Sequence, residues 1–185
     1  MIWKIKDQQI DLMGRPLVMG ILNVTPDSFS DGGYHLDSSN AIDHALRMED
    51  QGADLIDIGG ESTRPGAIPV SIEEEKRRVL PVVEKLAGRL KAFISIDTTK
   101  SQVAAAALDL GAHVINDISA LTFDPLMLEL AARANCAWVI MHIKGVPANM
   151  QQNPMYDNVV KEVTEFLSHR YQAMVKVGVD PMAVC

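Results

Sequence analysis

From residue 17 onward one pattern repeats along the chain. A short apolar run ends in polar or glycine residues, and an amphipathic helix follows. The first run, Leu17 to Leu22, ends at Asn23. A polar, Gly-rich loop over 24–36 follows, and Ile42, Ala45, Leu46 and Glu49 then recur at helical spacing. That spacing predicts a helix over 38–51, with Gly52 as its stop. The second run, Leu55 to Ile58, ends at Gly59-Gly60-Glu61. Ser71 and Glu74 form a capping box for the next helix, which Pro81 is expected to kink or split. The third run, Ala92 to Ile96, ends at Asp97, and an Ala-rich helix stops at Gly111. The fourth, Val114-Ile115, ends at Asn116-Asp117, and Asp124-Pro125 opens a helix as cap and first residue. The fifth, Trp138 to Met141, ends at His142. A helix bearing Val159, Val163, Phe166, Leu167 and Met174 on one face then closes at Gly178.

Strict alternation of strand and helix implies a parallel sheet, either doubly wound or closed as a (β/α)8 barrel, the TIM barrel. The strands are nearly all apolar, as parallel strands buried on both faces should be. No Gly-x-Gly-x-x-Gly follows the first strand, and polar residues cluster at strand ends, where barrels keep their sites. The expected fold is therefore an α/β barrel. A complete one needs roughly 250 residues, and this chain has 185. The expectation is a single barrel domain over 1–185 holding strands 1–5 and, at Ala183-Val184-Cys185, the start of strand 6. Residues 1–15 form a lead-in hairpin.

Composition narrows the function classes. Apolar residues make up 48% and charged residues 22%, the balance of a folded globular chain. No apolar stretch approaches a membrane span, and no signal peptide is visible at the start. The net charge of −7 argues against a nucleic-acid partner, although a few local donors can still hold a phosphate. Cys136 and Cys185 make neither a metal spacing nor a disulfide framework. Cys136 reads as a buried thiol, and a cytoplasmic location is expected.

In a parallel barrel Asn23, Gly59-Gly60-Glu61, Asp97, Asn116-Asp117 and His142 converge on one mouth. Amides and carboxylates together suit the edge of a nitrogen heterocycle, because carboxylates accept from ring N–H and amino groups. The long loops after the first two strands read as binding loops.

The stretch Asn23-Val24-Thr25-Pro26-Asp27-Ser28-Phe29-Ser30-Asp31-Gly32-Gly33 resembles the first-loop signature of the dihydropteroate synthase family. Asp57-Ile58-Gly59-Gly60-Glu61-Ser62-Thr63-Arg64-Pro65-Gly66 resembles its second. Ile96-Asp97-Thr98, Asn116-Asp117-Ile118-Ser119 and Met141-His142 are similar to its next strand ends. In the last of these loops Ile143, Lys144 and Val146 stand where the family more often has Met, Gln and Thr. The resemblance covers 16–185. It implies condensation of 6-hydroxymethyl-7,8-dihydropterin diphosphate with 4-aminobenzoate, giving 7,8-dihydropteroate and pyrophosphate in folate synthesis. It implies a transferase that sulfonamides inhibit, with Mg²⁺ as cofactor and Asn23 as metal ligand. It implies that Asp97 and Arg64 are catalytic, Arg64 gripping the diphosphate. By the same resemblance Asn116 binds the pterin, Phe29, Thr63 and Pro65 frame 4-aminobenzoate, and Asp27 and Asp31 order the first loop. The family is homodimeric through its later helices. Its sixth strand carries a further pterin-binding Asp, the seventh a Lys and the eighth an Arg and a His, all beyond residue 185. A chain holding only the first units is expected to be inactive or poorly folded alone.

Two other readings compete: a corrinoid-type pterin-binding methyltransferase, which would keep Asp97 and Asn116 but neither the whole Asn23-to-Gly33 loop nor Ser62-Thr63-Arg64-Pro65, and an inert or pterin-binding barrel remnant. Plainer roles are expected for several polar residues. Asp57 and Glu61 are read as acceptors for buried backbone groups, Asp117 as a structural acceptor and His142 as a hydrogen-bonded structural histidine. Lys100 and Lys144 are read as solvated, and the helical Met residues as core filler.

Overall fold

A computed structural model describes residues 1–25, 33–62 and 68–185, with the side chains of 33–38 left aside. It begins with an antiparallel hairpin of β1 (Ile2–Ile5) and β2 (Gln8–Asp11). Five parallel strands follow: β3 (Met19–Asn23), β4 (Leu55–Gly59), β5 (Phe93–Asp97), β6 (Val114–Asp117) and β7 (Ala137–Ile140). They pair in chain order, each with the next, as the opening of a barrel requires. Helices α1 (Gly33–Asp50), α2 (Ile72–Leu86), α3 (Ser101–Asp109), α4 (Leu126–Ala131) and α5 (Val159–Lys176) separate or follow them. At the far side Val184 bridges Trp138 in parallel, and the Ile140 and Cys185 amides bond Cys185 and Trp138 carbonyls at 3.0 and 2.8 Å. The expected start of a sixth strand thus lies beside β7.

Alternation along each strand sorts the side chains into two sets. Leu22, Ile56, Ile58, Ile94, Ile96, Ile115 and Trp138 face the helices and build the main core with Val79, Val82, Val83, Leu86, Val103 and Met127. Gly20 is small because α1 crosses there: a Cβ on it would stand 2.7 Å from Met48 Sδ. The opposite faces point to the barrel axis. At the N-terminal end of the axis Leu55, Val114 and Ala137 are buried against Trp3 and Ile5 of the hairpin. The hairpin is therefore the barrel's floor, and Trp3 Nε1 donates to Ala183 O at 3.3 Å.

Several local expectations change in detail. α2 runs unbroken through Pro81, which lies on the solvent side, where the carbonyl left without its N–H partner can turn to water. Ser71 accepts from the Glu74 amide at 3.2 Å, but Glu74 does not complete the box: its carboxylate is taken by Arg77 and Arg78. Asp124 caps two helices, accepting from Ser101 N of α3 at 2.8 Å and from Leu126 N of α4 at 2.9 Å. Gly52, Gly111 and Gly178 each adopt positive φ just after a helix, as the stops require.

Candidate active site

The register puts four residues at one level of the mouth. Asn23 pairs with Gly59, Gly59 with Asp97, and Asp97 with Asn116. All four face the axis. Because Gly59 has no side chain, its neighbours lean across it: Asp97 Oδ2 and Asn23 Oδ1 lie 3.5 and 3.7 Å from where its Cβ would stand. A cradle of oxygen acceptors results. One layer deeper, Asp57 pairs with Ser95. Its carboxylate accepts from Ser95 Oγ at 2.6 Å and from Asn116 Nδ2 at 2.9 Å. Asp57 therefore serves two side chains and not the backbone groups expected of it.

This arrangement fixes Asn116. Its amide nitrogen is committed to Asp57, which leaves Oδ1 as the free end of the amide. The mouth thus offers the Asp97 carboxylate and an amide oxygen, both acceptors. Burial pushes Asp57 above the usual carboxylate range, opposed by the Ser95 and Asn116 hydrogen bonds. Asp97 goes further, up to about 7, through burial and then repulsion from Asp57, Glu75, Asp117 and Glu61. Such a group welcomes N–H donors and positive charge.

The remaining sequence-predicted residues divide. Asp117 faces the helices, not the mouth. It holds the turn after β6, accepting from the Ser119 amide at 2.8 Å, the Ser119 hydroxyl at 2.7 Å and the Leu121 amide at 3.0 Å. Arg170 of α5 donates to the Ala120 and Leu121 carbonyls in that same turn. His142 packs edge-on against Phe166, with Tyr156 beside it. Lys144 lies 4.0 Å from the centroid of the Tyr156 ring and bonds the Met155 carbonyl. Asp27, Phe29, Asp31, Thr63, Arg64 and Pro65 lie outside the described residues.

Sequence reasoning missed a feature beside the mouth. Lys100 is not solvated. Its ammonium sits between Glu61, at 2.5 Å, and the fully buried Glu75. A cavity of about 200 Å³ runs past this group, bordered by Asp97, Thr98, Ile118, Phe123 and Pro147. The missed signal was Glu75 itself. It falls on the face of α2 that carries Val79, Val82 and Leu86, and a carboxylate on an apolar face requires a partner.

An oxygen-lined mouth over an apolar floor, at the strand ends of an incomplete β/α barrel, is where proteins of this fold class hold small molecules. Residues 19–185 match the family described as pterin binding enzymes, and the chain belongs to that family. It is 48% identical over 167 residues to the dihydropteroate synthase of Escherichia coli (strain K12), covering 90% of this chain and 59% of that protein. Among solved structures it is similar to Yersinia pestis dihydropteroate synthase in complex with a sulfonamide drug. There the TM-score is 0.90 at 47% identity, over 100% of this chain and 66% of that one. The Burkholderia cenocepacia dihydropteroate synthase complexed with 7,8-dihydropteroate superposes with a TM-score of 0.86 at 42% identity, over 100% of this chain and 61% of that one. The chain thus spans less than two thirds of the length of the Escherichia coli relative.

Proposed function

We propose that this chain carries the first five units of a dihydropteroate synthase, a transferase joining 6-hydroxymethyl-7,8-dihydropterin diphosphate to 4-aminobenzoate. The observation that carries the reading is the pair of acceptors at the mouth. Asp97 and Asn116 Oδ1 match a dihydropterin edge, which presents amino and ring N–H donors. Asp57 supports it from below by holding the Asn116 amide in one orientation. The relatives named above, one bound to a sulfonamide and one to 7,8-dihydropteroate, support the same substrate class.

The chemistry asks for departure of pyrophosphate from a methylene carbon. Positive charge grows on the pterin as that bond breaks. The ionised form of Asp97, partly desolvated, stabilises that charge more strongly than water would, and the growing charge itself favours that form. Its neighbours Asp57, Glu75, Asp117 and Glu61 add to the negative field. Arg64 is proposed to grip the departing anion, a task suited to a forked guanidinium of fixed charge. Phe29, Thr63 and Pro65 are proposed to frame the aryl amine, with Asp27 and Asp31 ordering the first loop.

Mg²⁺ is the proposed cofactor, with Asn23 as its protein ligand. Among the described residues no cluster of three or more His, Cys, Asp or Glu side chains is built to cage a metal. The donors at the cradle fit an ion that keeps most of its coordination for water and phosphate, because Mg²⁺ dehydrates reluctantly and prefers hard oxygen. When bound it would supply charge neutralisation to the diphosphate. We further propose a cytosolic homodimer acting on small molecules, without a nucleic-acid or membrane partner. The acidic balance supports the former exclusion. No described helix is long and apolar enough to cross a membrane.

The deciding experiment supplies both substrates and Mg²⁺ to the purified complete protein and follows dihydropteroate and pyrophosphate. Stoichiometric formation of both supports the assignment. Absence of product, with the protein folded, sinks it.

A further inference from the structure

The chemistry above uses the field of Glu61 and Glu75 but gives no part to Lys100, the cation that joins them beside the mouth. Lys100 lies just beyond Asp97 on the segment leaving β5. Its Nζ contacts Glu61 Oε2 at 2.5 Å and Glu75 Oε2. The three side chains are 19%, 21% and 1% exposed, so the cluster is largely withdrawn from water. Burial alone would push the Lys100 ammonium down, and the two carboxylates more than reverse that, so it stays charged. Glu75 Oε1 is buried with no hydrogen-bond partner. As a device for stability such a cluster is poor, because apolar side chains of similar volume generally do as well.

Its connections point elsewhere. Glu61 Oε2 also accepts from Val70 N at 2.9 Å. Glu61 and Val70 are the two ends of the segment that contains Thr63, Arg64 and Pro65. Glu75 stands in the first turn of α2, and that helix presses on Gly60 so closely that a Cβ there would lie 3.1 Å from Glu75 Cγ and 2.7 Å from Val79 Cγ1. Arg78, one turn on, donates to Gly60 O at 2.8 Å. On the other side, the Lys100 amide donates to Thr98 Oγ1 at 3.2 Å. A single ammonium therefore joins the end of β4, the return of the loop at Val70, the start of α2 and the segment next to Asp97.

We propose that Lys100 is a positioning residue: with Glu61 and Glu75 it clamps both ends of the 61–70 segment against the strand end that carries Asp97. It holds Glu61 and Val70, the ends of that segment, in place relative to the Asp97–Asn116 pair without touching substrate. The kinetic part rests on the synthase reading, whereas the clamp itself does not.

The test uses the complete protein with Lys100→Met, Lys100→Arg and Glu61→Gln. Hydrogen exchange at the Val70 amide reads the clamp directly. Steady-state kinetics read its consequence, with KM for each substrate separated from kcat. For Lys100→Met we expect roughly tenfold faster Val70 exchange relative to core amides, a local opening and not global unfolding. We expect kcat/KM to fall by about 10- to 100-fold, the usual cost of a site misplaced by an ångström or so. Lys100→Arg should recover most of both. A protein that simply lost stability would show lower thermal resistance with unchanged relative Val70 exchange and unchanged KM values, and that result overturns the proposal. Should Lys100→Met fail to fold, Glu61→Gln decides. It keeps an acceptor for Val70 but removes the charge facing Lys100, and wild-type exchange and kinetics there reject the clamp. If the unmodified protein makes no dihydropteroate, the synthase reading fails, while Val70 exchange still judges the clamp.

Discussion

The two ends of the barrel axis are built by the same strands, from side chains that point the same way, yet their chemistry is opposite. At the floor, Leu55, Val114 and Ala137 meet Trp3 and Ile5, and every one is buried hydrocarbon or ring. At the mouth, two to four residues along the same strands, Asn23, Asp57, Asp97 and Asn116 gather carboxylates and amides. The floor removes apolar surface from water and so stabilises the fold. The mouth does the reverse: it holds an Asp97 pushed up to about 7, against the fold's interest. Stability and function are thus separated by a few residues of strand, and mutations at the two ends should separate them too.

The largest expected effect is at the mouth. Asp97→Asn should lower kcat/KM by about 10²- to 10³-fold, the usual loss when a preorganised electrostatic group is removed. The same change should raise stability at neutral pH. The carboxyl's folded pKa is about 7 and its ordinary value 3.8, so between those pH values the unfolded chain has released a proton that the folded chain still holds. Stability is therefore full below about pH 4 and falls as pH rises toward 7. Asp97→Asn should abolish that decline, and thermal melts across pH 4 to about 8 would show it. Equal slopes in both proteins would mean the mouth imposes no strain.

Trp3→Ala should do the opposite. It removes a nearly fully buried ring from the floor and should cost about 3–5 kcal/mol of unfolding free energy. In protein that remains folded, both KM values should stay at their original level. A changed pterin KM would show that floor and mouth are mechanically coupled.

How much of this contrast is readable in the sequence follows from the same alternation. The apolar runs locate the five parallel strands, because strands buried on both faces admit few polar residues and each run stops at its functional end. Asn23, Asp97 and Asn116 are legible as strand-end residues for that reason. Their convergence rests on register, which no single run contains. Asp57 stands in an inward position two residues before Gly59, but its partners Ser95 and Asn116 come from other strands. Lys100 is illegible for a similar reason. The acid nearest to it in sequence is Asp97, yet the two carboxylates it bonds arrive from the segment after β4 and from α2. Glu75 hides in the run Glu73-Glu74-Glu75, which resembles an ordinary acidic first turn. Pro81 misleads because the expected break assumes a buried backbone, and the structure puts it on the solvent side.

Between the extremes lies Asp57, a carboxylate at mid-axis. Asp57→Leu would extend the floor's chemistry upward by one layer. Burial already pushes this acid up, so its loss relieves a costly charge, but the fully buried Ser95 hydroxyl then lacks its acceptor, and the net cost should be about 1–3 kcal/mol. Asn116 would lose its 2.9 Å partner, and KM for the dihydropterin should rise roughly tenfold, about the worth of one charge-assisted hydrogen bond. An unchanged KM would mean that Asn116 is oriented by something other than Asp57.

The smallest effects are expected at the rim, where the helices begin. Polar side chains there serve the fold as hydrocarbon does at the floor, by satisfying amide groups that a helix start leaves unpaired. Ser71 caps α2 alone, whereas Asp124 caps both α3 and α4. Ser71→Ala should cost about 1 kcal/mol, and Asp124→Ala about twice that, since each cap contributes on that scale. Asp124 also sits below the ordinary carboxylate range through its bonds to Ser101 and Leu126. Its contribution is therefore present above the unfolded pKa and lost as pH falls through the folded one, the reverse of Asp97. Denaturant melts at neutral and acid pH compare the two directly. If Asp124→Ala costs no more than Ser71→Ala, one of its two caps contributes nothing, and the rim is held together less by polar groups than the contrast with the floor requires.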